Sequence, residues 1–268
     1  MRLITAATAA ALIFLSACDT EPGAPPVRKA PPATRGAAFG VFRSSGSLFA
    51  LTYSRDPEFA DVSFQFGQNG DIPVVGDWDG NGTTTVGVFR PSAGVFYLRN
   101  TNSAGAADIV VRFGQNGDVP LSGDWTGSHH VAVGVYRPAE STFYLRSSNA
   151  DGQPDITVKF GEKDDAPVAG DWDGNGTTTI GVFRPSNSTF YLRNSNTPGP
   201  PDLTFQFGAT GDIPLAADWT GDGKATIGVF RPQDATFRIR NANSAAKPDV
   251  EAAFGLPSDL PIAGDWNG

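Results

Sequence analysis

Tryptophan occurs five times in this chain, and each occurrence follows the last by 47 residues: Trp78, Trp125, Trp172, Trp219 and Trp266. No insertion or deletion interrupts the spacing, and other markers keep the same register. Phe-Gly pairs begin at Phe66, Phe113, Phe160, Phe207 and Phe254. Arg43, Arg90, Arg137, Arg184 and Arg231 close a Gly-Val-Phe or Gly-Val-Tyr, and Asp71, Asp118, Asp165, Asp212 and Asp259 each stand two places before a proline. Residues 76–102 and 170–196 are identical at 22 of 27 positions. A fixed period of this size restricts the fold to solenoids, propellers or arrays, because so short a unit cannot bury its apolar face without its neighbours.

The pattern inside one unit chooses among these. Val119–Trp125, Val131–Tyr136, Thr142–Arg146 and Ile156–Phe160 read as four short strands, rich in β-branched and aromatic residues and separated by polar turns. The 32 glycines and 21 prolines of the 268 residues suit many turns and leave little room for helix. Four strands per repeat is one propeller blade. The first unit begins near Ala38 without its Gly-Asp-Trp strand, and the last stops at Gly264-Asp-Trp-Asn-Gly268, where its next strand should begin. The expected fold is therefore all-β, a five-bladed propeller over residues 38–268. Its C-terminal strand completes the blade of the three N-terminal strands, a closure that leaves no long sheet edge exposed.

The N-terminus reads differently. After Arg2, residues 3–17 are apolar or small, fewer than the roughly 20 needed to span a bilayer, as in a secretory signal peptide over residues 1–17. Leu15-Ser16-Ala17-Cys18 resembles a bacterial lipobox, which implies cleavage before Cys18 and lipid attachment to it. Residues 18–37, rich in proline and alanine, read as a tether. The expected address is the bacterial cell envelope, with the membrane reached through the N-terminal lipid. As the sole cysteine, Cys18 leaves no intrachain disulfide or CxxC site.

The stretch from Gly76 through Asp77-Trp-Asp-Gly-Asn-Gly to Arg90-Pro91 is similar to the FG-GAP and VCBS-type repeats of integrin α-chains and bacterial surface proteins. That resemblance implies that the Gly-Asp strand is innermost in each blade and that the following loop holds calcium. Oxygen donors alternating along a glycine-containing turn suit calcium. The candidates are Asp77, Asp79 and Asn81; Asp171, Asp173 and Asn175; and, in a partial version, Asp218 and Asp222. The family's further aspartate is replaced by Thr85, Thr179 and Thr226, and the loop of Asp124 has lost both acidity and glycine. The other reading of these loops is a turn in which Asp accepts backbone N–H groups. A weaker resemblance, in blade number and length, is to the tachylectin-type five-bladed lectins.

The remaining five-fold residues carry two readings each. Asp77 and its equivalents are expected to pair with Arg90 and its equivalents, tying blade to blade. Trp78, Trp125, Trp172, Trp219 and Trp266 either pack between blades or stack on sugar rings. Tyr97, Tyr144 and Tyr191 line a groove or join the core, and the only histidines, His129 and His130, read as an exposed turn. Near-identical units lack the asymmetry that catalysis needs, and no GxSxG, HExxH or phosphate-binding glycine loop occurs. A formal charge of −8 does not suit nucleic acid, whose phosphates need a basic footprint. The expectation is a non-enzymatic, monomeric, lectin-like or adhesive protein with repeated equivalent sites for glycan. A protein-interaction scaffold on an envelope protein is the alternative, and a glycosidase-like enzyme comes after both.

Overall fold

The computed structural model describes residues 36–268, so the expected signal peptide, Cys18 and nearly all of the expected tether lie outside the described residues. Five four-stranded antiparallel sheets make up the structure. The first blade combines β1 (Ala38–Arg43), β2 (Leu48–Leu51), β3 (Val62–Gln65) and β20 (Leu260–Gly264). The second runs β4 (Ile72–Gly76), β5 (Thr85–Arg90), β6 (Val95–Leu98) and β7 (Ile109–Arg112). The third is β8 (Val119–Gly123), β9 (Ala132–Arg137), β10 (Thr142–Leu145) and β11 (Ile156–Lys159). The fourth is β12 (Ala166–Gly170), β13 (Thr179–Arg184), β14 (Thr189–Leu192) and β15 (Leu203–Gln206), and the fifth β16 (Ile213–Ala217), β17 (Thr226–Arg231), β18 (Thr236–Ile239) and β19 (Val250–Ala253). Among the described residues the single helical segment is one 3-10 turn, Ser44–Gly46.

Closure takes the expected form. β20 pairs antiparallel with β1, from Ala38 opposite Gly264 to Phe42 opposite Leu260. The innermost strands β4, β8, β12, β16 and β20 each touch the next around the ring, and β20 touches β4. They enclose an axial channel. Pro73, Pro120, Pro167, Pro214 and Pro261 surround one mouth, whereas Asp77, Asp218 and Asp265 stand at the other, beside a cavity of about 760 Å³.

The second strand of every blade is buried along its length except for its last residue, the arginine. Its Gly-Val-Phe or Gly-Val-Tyr core, preceded by Phe, Val or Ile, faces a neighbouring blade on both sides, so an unbroken apolar run is what the position requires. Five apolar clusters result, one at each blade interface rather than one at the centre. The cluster of Trp78, Phe89, Phe96 and Leu98 in the second blade includes Val133 and Val135 of the third. The cluster that seals the ring joins Phe39 and Val41 of the first blade to Trp219, Phe230 and Phe237 of the fifth.

Neighbouring blades are tied through main chain. The Ala37 N–H donates to the carbonyl of Asp218 at 2.7 Å, Thr84 to Asp265 at 2.7 Å, Thr178 to Asp124 at 2.7 Å and Ala225 to Asp171 at 2.8 Å. The expected salt bridge from the Asp77 series to the Arg90 series is not formed. The link between blades uses the backbone carbonyl of that aspartate series, and the arginines take another partner within their own blade.

Candidate functional site

That partner is the aspartate before the X-Pro pair. Arg90 donates Nε to Asp71 Oδ1 and Nη2 to Oδ2, both at 2.9 Å. The same two-pronged bond joins Arg137 to Asp118, Arg184 to Asp165, Arg231 to Asp212 and Arg43 to Asp259, at 2.7–3.0 Å. Each carboxylate also accepts a backbone N–H three residues upstream: Gln68, Gln115, Glu162, Ala209 or Leu256. The expected turn role of Asp71 and its equivalents therefore coexists with an ion pair. The carboxylates are almost fully buried while each arginine keeps part of its side chain exposed. Bonding to the carboxylate holds Arg90, Arg137, Arg184 and Arg231 above the ordinary arginine value. Two-point contact fixes the guanidinium plane as well as its position.

The Phe-Gly pair of one blade packs over this ion pair in the next. Gly67, Gly114, Gly161, Gly208 and Gly255 have φ of +86° to +95°. A Cβ on any of them would come within 2.8–3.1 Å of a valine methyl in the following blade, Val88, Val135, Val182, Val229 or Val41. Both the left-handed backbone and the close approach require glycine. This turn and the fixed arginine form the floor of a cleft between blades. The cleft of Phe113, Gly114, Arg137 and Tyr144 has a volume of about 500 Å³. One period on, Phe160, Gly161, Arg184 and Tyr191 line about 360 Å³. A further period on, Phe207, Gly208, Arg231 and Arg238 line about 460 Å³.

The tyrosines take both of their expected roles. Tyr97, Tyr144 and Tyr191 pack against the core at the interface with the preceding blade, and Tyr144 and Tyr191 line clefts as well. An arginine lies over each ring: Arg90 over Tyr97 at 4.4 Å, Arg137 over Tyr144 and Arg184 over Tyr191 at 4.6 Å. Such stacking favours the charged guanidinium and holds it in place.

The tryptophans have a different environment. All five are buried, between 0 and 8% exposed. The indole N–H groups of Trp125, Trp172, Trp219 and Trp266 donate to the carbonyls of Ala132, Ile180, Thr226 and Phe39. Buried rings of this kind present no face to a sugar, so the reading of the tryptophans as ligand platforms gives way to packing. The physical reason is position: each follows the innermost strand directly, where neighbouring blades converge.

The acidic loops use their oxygens internally. Asp77 Oδ1 accepts the N–H groups of Gly80 and Asn81, and Oδ2 accepts that of Gly82; Asn81 Oδ1 accepts Thr83 N–H. Asp79 accepts Asn81 N–H at 3.3 Å. Asp171, Asp173 and Asn175 repeat the arrangement, as Asp218 and Asp222 largely do. A calcium ion needs these same oxygens gathered toward one point. Among the described residues no group of three or more His, Cys, Asp or Glu side chains is placed to hold a metal. The donors take the turn-capping arrangement. His129 and His130 are exposed, and His129 adopts φ +62° at the place where Gly82, Gly176 and Gly223 turn left-handed.

No family model matches the chain and no curated protein matches it, so the FG-GAP and VCBS resemblance rests on the residues quoted above. Among solved structures the chain is similar to an Agrocybe aegerita lectin described as recognising non-reducing terminal N-acetylglucosamine. Identity is 14%, covering 72% of this chain and 57% of the lectin, with a TM-score of 0.43; the chain spans less than two thirds of the lectin's length. It is also similar to BBS1N crystallised in complex with ARL6DN. There the identity is 10%, covering 82% of this chain and 72% of the other, with a TM-score of 0.44.

Proposed function

We propose that this protein is a multivalent, lectin-like binding protein of the bacterial envelope, held to the membrane by a lipid on Cys18, and that the clefts between blades are its binding sites. One observation carries the reading: the same cleft floor, a locked arginine beneath a glycine turn, recurs five times around a closed ring. A fixed donor beside an aromatic edge and exposed backbone suits a polyhydroxylated ligand, because little must be ordered on binding. Weak sites repeated on one rigid body gain avidity toward a repetitive surface such as a glycan coat. Near-copies of one cleft favour binding over catalysis, which would single out one of them.

The test is a glycan array probed with the full chain, once with calcium and once with a chelator. Binding to a defined sugar class is expected, and it should survive the chelator because the acidic loops already spend their oxygens on their own amides. Loss of binding with chelator would return calcium to the site. Silence under both conditions removes the lectin reading and leaves the scaffold, to be sought by cross-linking at the membrane. For the anchor, Cys18→Ser is expected to move the protein from the membrane fraction to the soluble fraction. Unchanged membrane association would remove the lipid from the account.

A further inference from the structure

We propose that the ring carries three competent clefts rather than five, those of Tyr97, Tyr144 and Tyr191, and that these tyrosines select an uncharged sugar residue. The inference rests on the multivalent reading above. All five blade junctions share the glycine turn and the locked arginine, so the floor cannot distinguish them. What differs is the position that follows at 47-residue steps on the third strand: Ala50, Tyr97, Tyr144, Tyr191 and Arg238.

At the three tyrosines the guanidinium lies 4.4–4.6 Å from the ring centroid, so the aromatic wall and the fixed cation form one unit. Nε and Nη2 are committed to aspartate; Nη1 of Arg137 and Arg184 meets Glu140 and Glu162, so a ligand there would bond to guanidinium edge and carboxylate together. In the fifth blade Arg238 turns to Asp234, with contacts of 2.7 and 3.3 Å, and to Glu251 at 3.3 Å. Hydrogen bonding to Arg238 draws the Asp234 carboxyl down to about 2, so this network is ionised at any physiological pH. A ligand there would find no aromatic surface. In the first blade Ala50 is buried and offers no wall. The aromatic clefts thus occupy three consecutive blades, the second to the fourth.

Charge sets the ligand class. Glu140 accepts the Tyr144 hydroxyl at 2.5 Å and lies 3.4 Å from Arg137 Nη1, and Glu162 lies 3.0 Å from Arg184 Nη1. In these two clefts a carboxylate beside the guanidinium edge repels a uronic acid, a sialic acid or a phosphate, whereas hydroxyl groups bond to carboxylate and guanidinium together; at Tyr97 the Arg90 charge is balanced by Asp71.

The chain has five tyrosines, so ring-labelled tyrosine gives a site-resolved NMR readout. The probes are glucose, galactose, mannose and N-acetylglucosamine, with glucuronic acid and sialic acid as charged controls; saturation-transfer spectra report binding independently of the tyrosines. A neutral sugar is expected to shift Tyr97, Tyr144 and Tyr191 and to leave Tyr53 and Tyr136 in place. Tyr97→Leu, Tyr144→Leu and Tyr191→Leu together keep apolar packing and should weaken binding at least tenfold, while Arg238→Leu should change it less than twofold. Saturation transfer without tyrosine shifts, a twofold or larger loss in Arg238→Leu, or acidic sugars binding as well as neutral ones would overturn this proposal and leave the multivalent reading standing. No saturation transfer from any neutral sugar would overturn both.

Discussion

A chain ending at Asp259 is expected to lose its folded state. Removing residues 260–268 deletes β20, the strand that completes the first blade and one fifth of the channel wall. It removes Ile262 and Trp266, both buried, and the indole bond to the Phe39 carbonyl. The loss of these two side chains is worth about 5 kcal/mol, before the exposed edge of β1 is counted. A domain of this kind has only about 5–15 kcal/mol in total. Circular dichroism melting and size-exclusion chromatography should show no cooperative transition and an aggregated product. A monomer melting within about 2 °C of the full chain would mean that four blades and a partial fifth suffice, and the ring would not be closed by this strand in any energetic sense.

Trp219→Ala should be the most damaging single substitution among the tryptophans. Trp219 is fully buried, donates to the Thr226 carbonyl at 2.9 Å and lies 5.9 Å from Phe39 across the seam between the fifth and first blades. Truncating a large buried aromatic costs about 4 kcal/mol, which for a domain of this length lowers Tm by about 10 °C. Trp78→Phe offers a contrast, since the Trp78 indole N–H has no partner and only ring area is lost; its cost should stay under about 1.5 kcal/mol. If Trp219→Ala melted normally but bound no sugar, the tryptophans would be ligand platforms after all.

The Arg–Asp pairs show why some of the site was hidden in the sequence. Both residues were visible as five-fold markers, and their separation of 19 residues is constant within four of the units. The expected partner of Arg90 was Asp77. Strand geometry reverses this choice. β4 and β5 are antiparallel, with Ile72 opposite Phe89 and Gly76 opposite Thr85, so the residue before β4 meets the residue that ends β5. Asp77 lies at the other end of the pair. A hairpin drawn from the two strands alone would have found the contact.

The clefts lie further from the sequence. Each takes Phe-Gly from one blade and its arginine from the next, with tyrosine in two of them, and nothing local connects them. The repeat together with the four-strand pattern inside one unit determined blade number and strand count: the period alone also suits a solenoid or an array, and the short β-rich segments chose the propeller. Recurrence also marked the five-fold Trp, Phe-Gly, Arg and Asp positions. Only the tertiary structure decided what those recurrences are for. Burial removed the tryptophans from the surface, the carboxylates of the exposed acidic loops capped their own backbone amides, and the junction between blades made a locked arginine the floor of a cleft. The cause is general: periodicity reports which positions share an environment, while the environment itself is made where one blade meets another.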